Sequence, residues 1–84
     1  MKYTVVWVPS ALNDLADIWN KAADRKAVTD AANRIDRTLK YDAERQGHEF
    51  NGERALFELP LAVTFTVSPD DRMVHVLQVR RATP

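Results

Sequence analysis

The 84-residue chain has no cysteine, only two glycines and no excess charge of either sign. The lack of cysteine excludes thiol catalysis, disulfide staples and thiolate metal sites. Twelve lysines and arginines are balanced by twelve aspartates and glutamates, so the chain as a whole exerts no general attraction on nucleic acid. A function on nucleic acid would therefore require a local basic patch.

Long apolar runs are also missing, since no stretch approaches the ~18 residues needed to cross a bilayer. The opening MKYTVVWVPS alternates after one lysine, which predicts a strand rather than a signal peptide. We expect a protein of the reducing cytoplasm without a membrane partner. A single domain over residues 1–84 is expected, because chains that divide into two cores are usually much longer.

The first third predicts a strand followed by a helix. Residues 3–8 are rich in β-branched and aromatic side chains, and Pro9 ends this strand. Ser10 is the predicted helix N-cap, because its hydroxyl oxygen can accept an unpaired backbone amide. Apolar residues then recur at helical spacing, which predicts an amphipathic helix over residues 11–23.

A second helix is predicted after Asp24, whose carboxylate suits an N-cap. Its apolar stripe fades near Tyr41 and consists of Val28, Ala31, Ala32, Ile35 and Leu39. Ion pairs at i,i+4 spacing are predicted on the exposed helix faces for Asp17–Lys21, Asp30–Arg34 and Asp36–Lys40. We expect these charges to form a solvated surface.

The remainder predicts a loop and three strands. Residues 42–52 are polar and contain both glycines, which predicts the loop. From Glu53 onward the apolar period is two, and strands are predicted over residues 54–59, 61–67 and 73–80. The expected fold is α+β, in the order β-α-α-β-β-β, with a small antiparallel-rich sheet packed against a two-helix hairpin.

Two parts of the chain carry a resemblance to a known family. They are Trp7 with the pattern Ala11-x-x-Asp14-Leu15-x-x-Ile18, and the closing LPLAVTFTVSPDDRMVHVLQVRR. In order and spacing they resemble the RelE/ParE superfamily, the toxins of bacterial type II toxin–antitoxin, or plasmid-stabilisation, systems. The resemblance implies a small antitoxin that wraps and neutralises the toxin. RelE-like members cut mRNA in the ribosomal A site, whereas ParE-like members inhibit DNA gyrase without being enzymes.

The third strand departs from the RNA-cutting members. They resemble one another in a Tyr-Arg-apolar-x-Tyr pattern, and the matching positions here are Leu61, Ala62 and Phe65. RNA cleavage needs a base, a cation for the phosphate charge and an acid for the leaving oxygen. Alanine supplies none of them, and the tail Ala82-Thr83-Pro84 lacks the family's tyrosine or histidine. This favours ParE-like action and leaves open whether the protein is an enzyme.

Strand parity predicts which side chains face the helices. The helix-facing set is predicted to be Ala55, Phe57, Leu59, Val63, Phe65, Val67, Met73, Leu77 and Val79. The candidate site residues on the opposite, open face are Arg54, Glu58, Gln78, Arg80 and Arg81, with Ala62, Thr64 and Thr66 between them. The register leaves open whether Arg80 or Arg81 corresponds to the terminal basic residue of the family. A structural alternative is a cross-strand surface pair of Glu58 with Arg54 or Arg80.

Other chemically capable residues have structural interpretations as well. His48 is predicted in a loop and His75 as a packed, hydrogen-bonded strand residue; no histidine pair has metal-ligand spacing. Asp14 and Asp17 are interpreted as solvated carboxylates near a helix N-terminus. Trp7 and Trp19 could stack on nucleic-acid bases, but they are interpreted as residues of the core or of an antitoxin-binding groove. No metal is predicted because the histidine spacing does not suit one, and no cofactor is predicted because no glycine-rich phosphate loop is present; a nucleophile elbow is absent as well.

Three functions remain open from the sequence. The first is a ParE-like toxin whose partners are a cognate antitoxin and DNA gyrase. The second is a RelE-type endonuclease on ribosome-bound mRNA, with a site rebuilt from Arg54, Glu58 and Arg80. The third is an interaction protein that kept the fold without toxicity. A homodimer and a toxin–antitoxin hetero-oligomer are both open assemblies, and the apolar first helix, with Leu12, Leu15, Ala16, Ile18 and Trp19, is the candidate docking surface.

Overall fold

The computed structural model describes residues 2–82, which form two helices and one five-stranded sheet. The helices are α1 (Pro9–Lys21) and α2 (Arg25–Asp42). The strands are β1 (Thr4–Trp7), β2 (His48–Phe50), β3 (Glu53–Glu58), β4 (Leu61–Ser68) and β5 (Met73–Arg81). The predicted α+β class and the order of the predicted elements are confirmed. Neither helix is long and apolar enough to cross a membrane, within the residues described.

The sheet order is β1-β5-β4-β3-β2, so the last strand of the chain lies beside the first. β1 runs parallel to β5, and the other neighbours are antiparallel. The helical hairpin covers one face of this sheet. Its buried residues pack on apolar side chains of the two central strands, and the core includes Ile35, Leu39, Val63, Phe65, Val74 and Val76.

The loop predicted over residues 42–52 contains structure, and this part of the prediction was wrong. A single 3₁₀ turn (Ala43–Arg45) follows α2, and β2 then pairs with β3. Asn51 and Gly52 have φ values of 52° and 83°, the positive values of a tight two-residue hairpin turn. That turn folds the β2 segment back onto β3, and its Asn-Gly dipeptide is a sequence signal for such a hairpin that the loop prediction did not use.

The helix starts show which N-cap prediction was correct. Asp24 caps α2, with its Oδ1 accepting a hydrogen bond from the Ala27 amide at 3.0 Å. The prediction for α1 was wrong, because Val8 occupies the N-cap and Ser10 lies inside the helix. Pro9 begins α1, since its fixed φ suits the first helical position and its missing N–H would be unpaired there in any case.

The surface ion pairs differ in part from those predicted. The Asp17–Lys21 pair forms at 3.2 Å. Asp30 instead pairs with Lys26 at 2.9 Å, and this hydrogen bond raises the pKa of Lys26. Asp36 does not bond Lys40; its Oδ1 accepts from Trp7 Nε1 at 3.2 Å and ties α2 to the end of β1.

Candidate functional site

The face of the sheet that the helices leave uncovered, called the open face below, is the first candidate surface. β4 contributes Ala62, Thr64, Thr66 and Ser68 to it, since the alternate residues of that strand belong to the core. Pairing with β4 brings further side chains to the same face, namely Ala55 and Phe57 of β3 and His75, Gln78 and Arg80 of β5. The face therefore combines small and hydroxyl side chains with one arginine and the exposed ring of Phe57, and β2 adds His48 and the exposed ring of Phe50 at its edge.

Ala62 lies on the middle strand of this surface, one residue from the start of β4. Its direct cross-strand neighbours are Phe57 on one side and Arg80 on the other. Directly opposite side chains in an antiparallel pair lie about 4.5–5.5 Å apart at Cβ. Ala62 is 2% exposed although it lies outside the core cluster, so larger neighbours shield the small methyl group.

Arg54 and Glu58 do not lie on the open face, and this prediction was wrong. Both pair with core residues of β4, Arg54 with Phe65 and Glu58 with Leu61, which places them on the helix side. Glu58 accepts a 2.9 Å hydrogen bond from Nε of Arg34 in α2. The expected cross-strand pair of Glu58 with Arg54 or Arg80 is therefore replaced by an ion pair between sheet and helix.

Arg54 binds the segment of chain that leads into β2. Its Nη1 donates to the backbone oxygen atoms of Glu44 at 2.8 Å and Gln46 at 3.3 Å. Nη2 lies 3.8 Å from Oε2 of Glu49 in β2. The guanidinium thus holds the segment between α2 and β2, which is a structural role on the covered side of the sheet.

The inverted parity of β3 moves its aromatic residue into the site. Leu56 packs against the core, whereas Phe57 is 55% exposed on the open face and Leu59 is exposed in the following turn. Ala55, which was also predicted to face the helices, lies opposite Thr64 on the open face. Sequence reasoning missed Phe57 as a surface residue, because residues 55, 56, 57 and 59 are all apolar and fit either parity.

A bulge in β5 explains two further differences. Thr64 pairs with Gln78 and Phe65 with Val76, so Leu77 is left without a partner. Met73 and Leu77 were predicted to face the helices, but the buried residues before the bulge are Val74 and Val76. After the bulge Val79 is buried as predicted, and Gln78 and Arg80 lie on the open face as predicted.

Arg80 and Arg81 point to opposite sides of the sheet. Arg80 pairs with Ala62, and Arg81 pairs with the buried Leu61 on the helix side. The structure therefore places Arg80, not Arg81, beside the position where the RNA-cutting pattern has its arginine. Of the tail, Thr83 and Pro84 lie outside the described residues.

The two histidines are far from this arginine. His75 is opposite Thr66, four positions along β4 from Ala62, so about 13 Å separates it from Arg80 at roughly 3.3 Å per residue. His48 is in β2 rather than a loop, at the edge of the sheet and two strands from β4. His75 is partly buried on the open face and not among the core residues.

Asp14 meets the edge of β5 that β1 leaves uncovered. β1 ends at Trp7, opposite Val76, and one carboxylate oxygen of Asp14 accepts from the Val79 amide at 3.5 Å. Asp14 is thus a partly buried capping group for a strand edge, not the freely solvated carboxylate expected, whereas Asp17 is exposed and paired with Lys21.

A second candidate surface lies on the outer side of the hairpin, between α1 and α2. This outer groove has a volume of about 430 Å³, and it is lined by Leu12, Leu15, Ala16, Trp19, Asn20, Val28, Thr29, Ala32 and Asn33. Leu12 is half exposed and Trp19 is 40% exposed. An apolar groove with an amide rim is typical of a protein-docking surface.

Trp19 is held in place before any partner arrives. Its Nε1 donates to Thr29 Oγ1 at 3.1 Å, and the Arg25 guanidinium lies 4.6 Å from the ring centroid. Arg25 also donates to the backbone oxygens of Trp19 and Asn20, at the end of α1. The groove wall is thus preorganised, which lowers the entropy that a docking partner must overcome.

Comparison with solved structures identifies the fold. A chain of the chromosomal ParDE toxin–antitoxin system from P. aeruginosa is similar to this one with a TM-score of 0.79 and 22% identity, covering 98% of both chains. The RelBE2 toxin–antitoxin complex from Mycobacterium tuberculosis gives 0.79 and 14%, covering 100% of this chain and 95% of the other. The archaeal RelE–RelB complex from Pyrococcus horikoshii gives 0.72 and 13%, with 96% of each covered.

At these identities the likeness concerns the fold, and the chain has the RelE/ParE fold over nearly its whole length. No protein-family model and no curated protein sequence matches it. Because one fold supports several functions, the function of the two surfaces depends on the residues that this chain places there.

Proposed function

We propose that this chain is the toxin of a bacterial type II toxin–antitoxin module, of the plasmid-stabilisation kind, and that a small antitoxin neutralises it in the cytoplasm. The shared fold supports this, because the similar chains come from systems described as toxin–antitoxin pairs. The outer groove supplies the apolar surface that such a partner needs.

We further propose that the toxin acts without cutting RNA, and the observation that carries this is Ala62. It lies on the open face near the start of β4, between Phe57 and Arg80, at the position where the RNA-cutting members that the chain resembles have an arginine. A methyl group can neither stabilise phosphate charge nor move a proton. Arg80 alone offers one of the three required functions.

The ionisable side chains nearest to Ala62 do not replace the missing catalytic groups. General acid–base catalysis requires the acting groups within hydrogen-bond reach of the same substrate, about 2.6–3.2 Å. His75 is about 13 Å from Arg80 by strand rise, and Glu58 is bound to Arg34 on the other face. A rebuilt nuclease site of Arg54, Glu58 and Arg80 is not supported, because the first two lie behind the sheet.

The target that we propose is DNA gyrase, by the ParE-like mode. The open face suits a protein contact, since it presents an exposed aromatic ring and one arginine among small side chains. Tyrosine, tryptophan, phenylalanine and arginine are the side chains enriched at protein interfaces.

The proposed antitoxin contact is an amphipathic helix in the outer groove. Leu12, Leu15 and Trp19 recur at helical spacing along one wall, and Val28 and Ala32 form the other. Apolar side chains at i, i+3 or i+4 and i+7 of a docking helix would enter such a groove. A short neighbouring gene that encodes a DNA-binding head and an amphipathic tail is the expected source.

Inducible expression in a bacterial host tests the proposal. The chain is expressed alone and with the product of the neighbouring small reading frame, and growth, plasmid supercoiling and ribosome-dependent mRNA cleavage are measured. We expect growth arrest with loss of negative supercoiling, intact message, and rescue by the neighbouring product.

Each contrary result would contradict a different part of the proposed function. Normal growth in both cultures would exclude a toxin and favour an interaction protein that retained the fold. Growth arrest with cleaved message that Arg80→Ala abolishes would establish the RelE-type alternative. Growth arrest with normal supercoiling and intact message would exclude gyrase as the target.

A further inference from the structure

The outer groove continues along the second half of α2, beyond the residues that α1 contributes to it. Asn33 lines the groove and also a depression of about 310 Å³ formed by the last turns of α2. Asp36 and Lys40 connect this depression to another of about 300 Å³, which residues 2–5 at the start of the chain complete. The two depressions form one surface, called the groove extension below.

Positive charge is in excess on the groove extension. Lys2, Arg37 and Lys40 line it, together with a single carboxylate, that of Asp36. Asp36 keeps its negative charge while it accepts the hydrogen bond from Trp7, so three cations and one carboxylate leave two positive charges in excess. Within residues 2–82, no carboxylate oxygen lies within 4.0 Å of any of these three cations.

The charges next to the groove extension do not cancel this excess. On the groove side, the lysines of α1 and of the first turn of α2 each pair with an aspartate, at 3.2 Å and 2.9 Å. Beyond Tyr41, Asp42 lies 3.9 Å from Arg45, so this pair adds no net charge. Glu44 lies there as well and accepts from the Tyr3 hydroxyl. When these neighbours are counted too, one positive charge is still in excess.

The continuity of the groove with its extension indicates one occupant for both. An apolar groove accommodates an amphipathic helix, and a cationic surface next to it favours acidic residues in the same chain. Nucleic acid suits the pair less well, because it has no apolar helix face for the groove and its row of phosphates would pass the Asp36 carboxylate. A peptide can place its acids at the cations and a neutral residue at Asp36.

We propose that the groove extension binds an acidic segment of the partner whose amphipathic helix occupies the outer groove, an inference that rests on the function proposed above. Arg37 and Lys40 pair with carboxylates that lie within about 12 Å of the last apolar contact, the length of α2 from Ala32 to Lys40 at 1.5 Å per residue. Exposed charges act chiefly on the encounter rate and on the choice of partner. The extension therefore selects among helices that fit the groove equally well.

Designed peptides titrated into the full chain test the inference. Each peptide has one amphipathic helix of leucine, alanine and glutamine, followed or preceded by four glutamates, four glutamines or four lysines. Both placements are used because a groove can accept a helix in either direction. Amide chemical shifts and calorimetric affinities are measured at about 0.01 M and about 1 M salt, where the screening length is roughly 30 Å and 3 Å.

We expect one of the two glutamate peptides to shift the amides of Arg37, Lys40 and Tyr41. At low salt it should bind about five- to tenfold more tightly than the matching glutamine peptide, as two exposed ion pairs allow. At high salt the two peptides should bind equally, because the attraction is screened.

Charge-matched variants make the test specific. Arg37→Gln combined with Lys40→Gln should remove the preference for glutamate and leave the affinity for the glutamine peptide unchanged. Arg37→Gln alone, at an exposed position, gives the same test with a smaller effect if the double variant is unstable. Lys21→Gln combined with Lys26→Gln removes two charges from the groove side and should retain the preference. Tyr41→Ser, which alters the rim of the extension without removing charge, should retain it too.

The inference is overturned if the glutamine peptides bind the groove and neither glutamate peptide binds more tightly at low salt. It is also overturned if the lysine peptides bind as tightly as the glutamate peptides, or if the Lys21 and Lys26 double variant loses the preference as fully as the Arg37 and Lys40 double variant. Hexathymidylate that shifts the same amides at lower concentration than the glutamate peptides would assign the extension to nucleic acid instead.

Failure of the groove docking is a separate result. If no peptide shifts the amides of Leu15 and Trp19, the antitoxin contact proposed for the outer groove is contradicted. Acetylated tetraglutamate then tests the extension by itself at low salt. Shifts at Arg37 and Lys40 that tetraglutamine does not produce would support an acidic partner segment, and their absence would overturn it.

Discussion

Both glycines of the chain have positive φ, yet their surroundings make them unequal. Gly47 has φ of 75°, and a Cβ built there would lie 2.4 Å from the backbone oxygen of Ala55. Gly52 has φ of 83° with no atom within 4 Å of such a Cβ. Gly47 is therefore required both by its backbone conformation and by close contact, and Gly52 by conformation alone.

We expect Gly47→Ala to lower the free energy of unfolding by about 2–4 kcal/mol, since strain at positive φ of about 1–2 kcal/mol adds to displacement of the β3 backbone. Gly52→Ala should cost only about 1–2 kcal/mol. Urea unfolding of both variants measures the difference. Equal losses would show that the chain entering β2 moves freely away from Ala55.

At Ala62 the sequence was sufficient for one conclusion and insufficient for another. The sequence alone predicted that Ala62 replaces an arginine and that it lies on the open face, because Val63 and Phe65 alternate clearly with it. The sequence did not predict that Phe57 shields Ala62, because this contact depends on which face of β3 Phe57 occupies. A residue's neighbours across a sheet are set by register, which local composition does not contain.

The two helices begin by different means, and this can be measured. Asp24→Ala should lower stability by about 1 kcal/mol, because the Ala27 amide at the start of α2 loses its acceptor. Ser10 was the predicted cap of α1, but it lies within the first turn of the helix and its side chain is exposed to solvent. We therefore expect Ser10→Ala to change the free energy of unfolding by no more than about 0.5 kcal/mol.

Thermal and urea unfolding of the two alanine variants provide the comparison. A loss in Ser10→Ala as large as that in Asp24→Ala would mean that the serine hydroxyl supports the first turn of α1 after all. A neutral Asp24→Ala would contradict the assignment of the cap to the carboxylate.

At the level of whole strands, predictability followed the clarity of the apolar pattern. β4 was correctly oriented because its alternation is strict over residues 61–67. β3 was inverted because its three apolar residues fit both faces, and the observed face brings Glu58 to Arg34, 24 residues away in sequence, a contact that local composition does not indicate. β5 failed in its first half because one unpaired residue, Leu77, reverses parity along the strand.

For the molecule as a whole, the outer groove and the open face lie on opposite sides of the sheet, so the two functions proposed for them should separate. The double variant Leu12→Ser, Trp19→Ser should weaken antitoxin binding at least tenfold, since aromatic anchors dominate interfaces, and leave growth inhibition intact. Phe57→Ser with Arg80→Ala should reduce growth inhibition and leave antitoxin affinity unchanged.

Affinity measured by calorimetry and growth measured after induction are compared for both variants, with Tyr41→Ser as a control for an exposed aromatic residue outside both surfaces. If both double variants lose both properties with the fold intact, the two surfaces act as one and the division proposed for them is incorrect.

The parallel pairing of β1 with β5 also determines when the complete sheet can form during synthesis of the chain. β5 lies between β1 and β4 in the sheet, so the first strand has no neighbour until Met73 and the residues after it have left the ribosome. Nascent chains that stop in the turn at residues 69–72 can form helices and the β3–β4 hairpin, but not the continuous open face. The open face is therefore continuous only after β5 has been synthesised, so any function of this face must wait until that strand has left the ribosome.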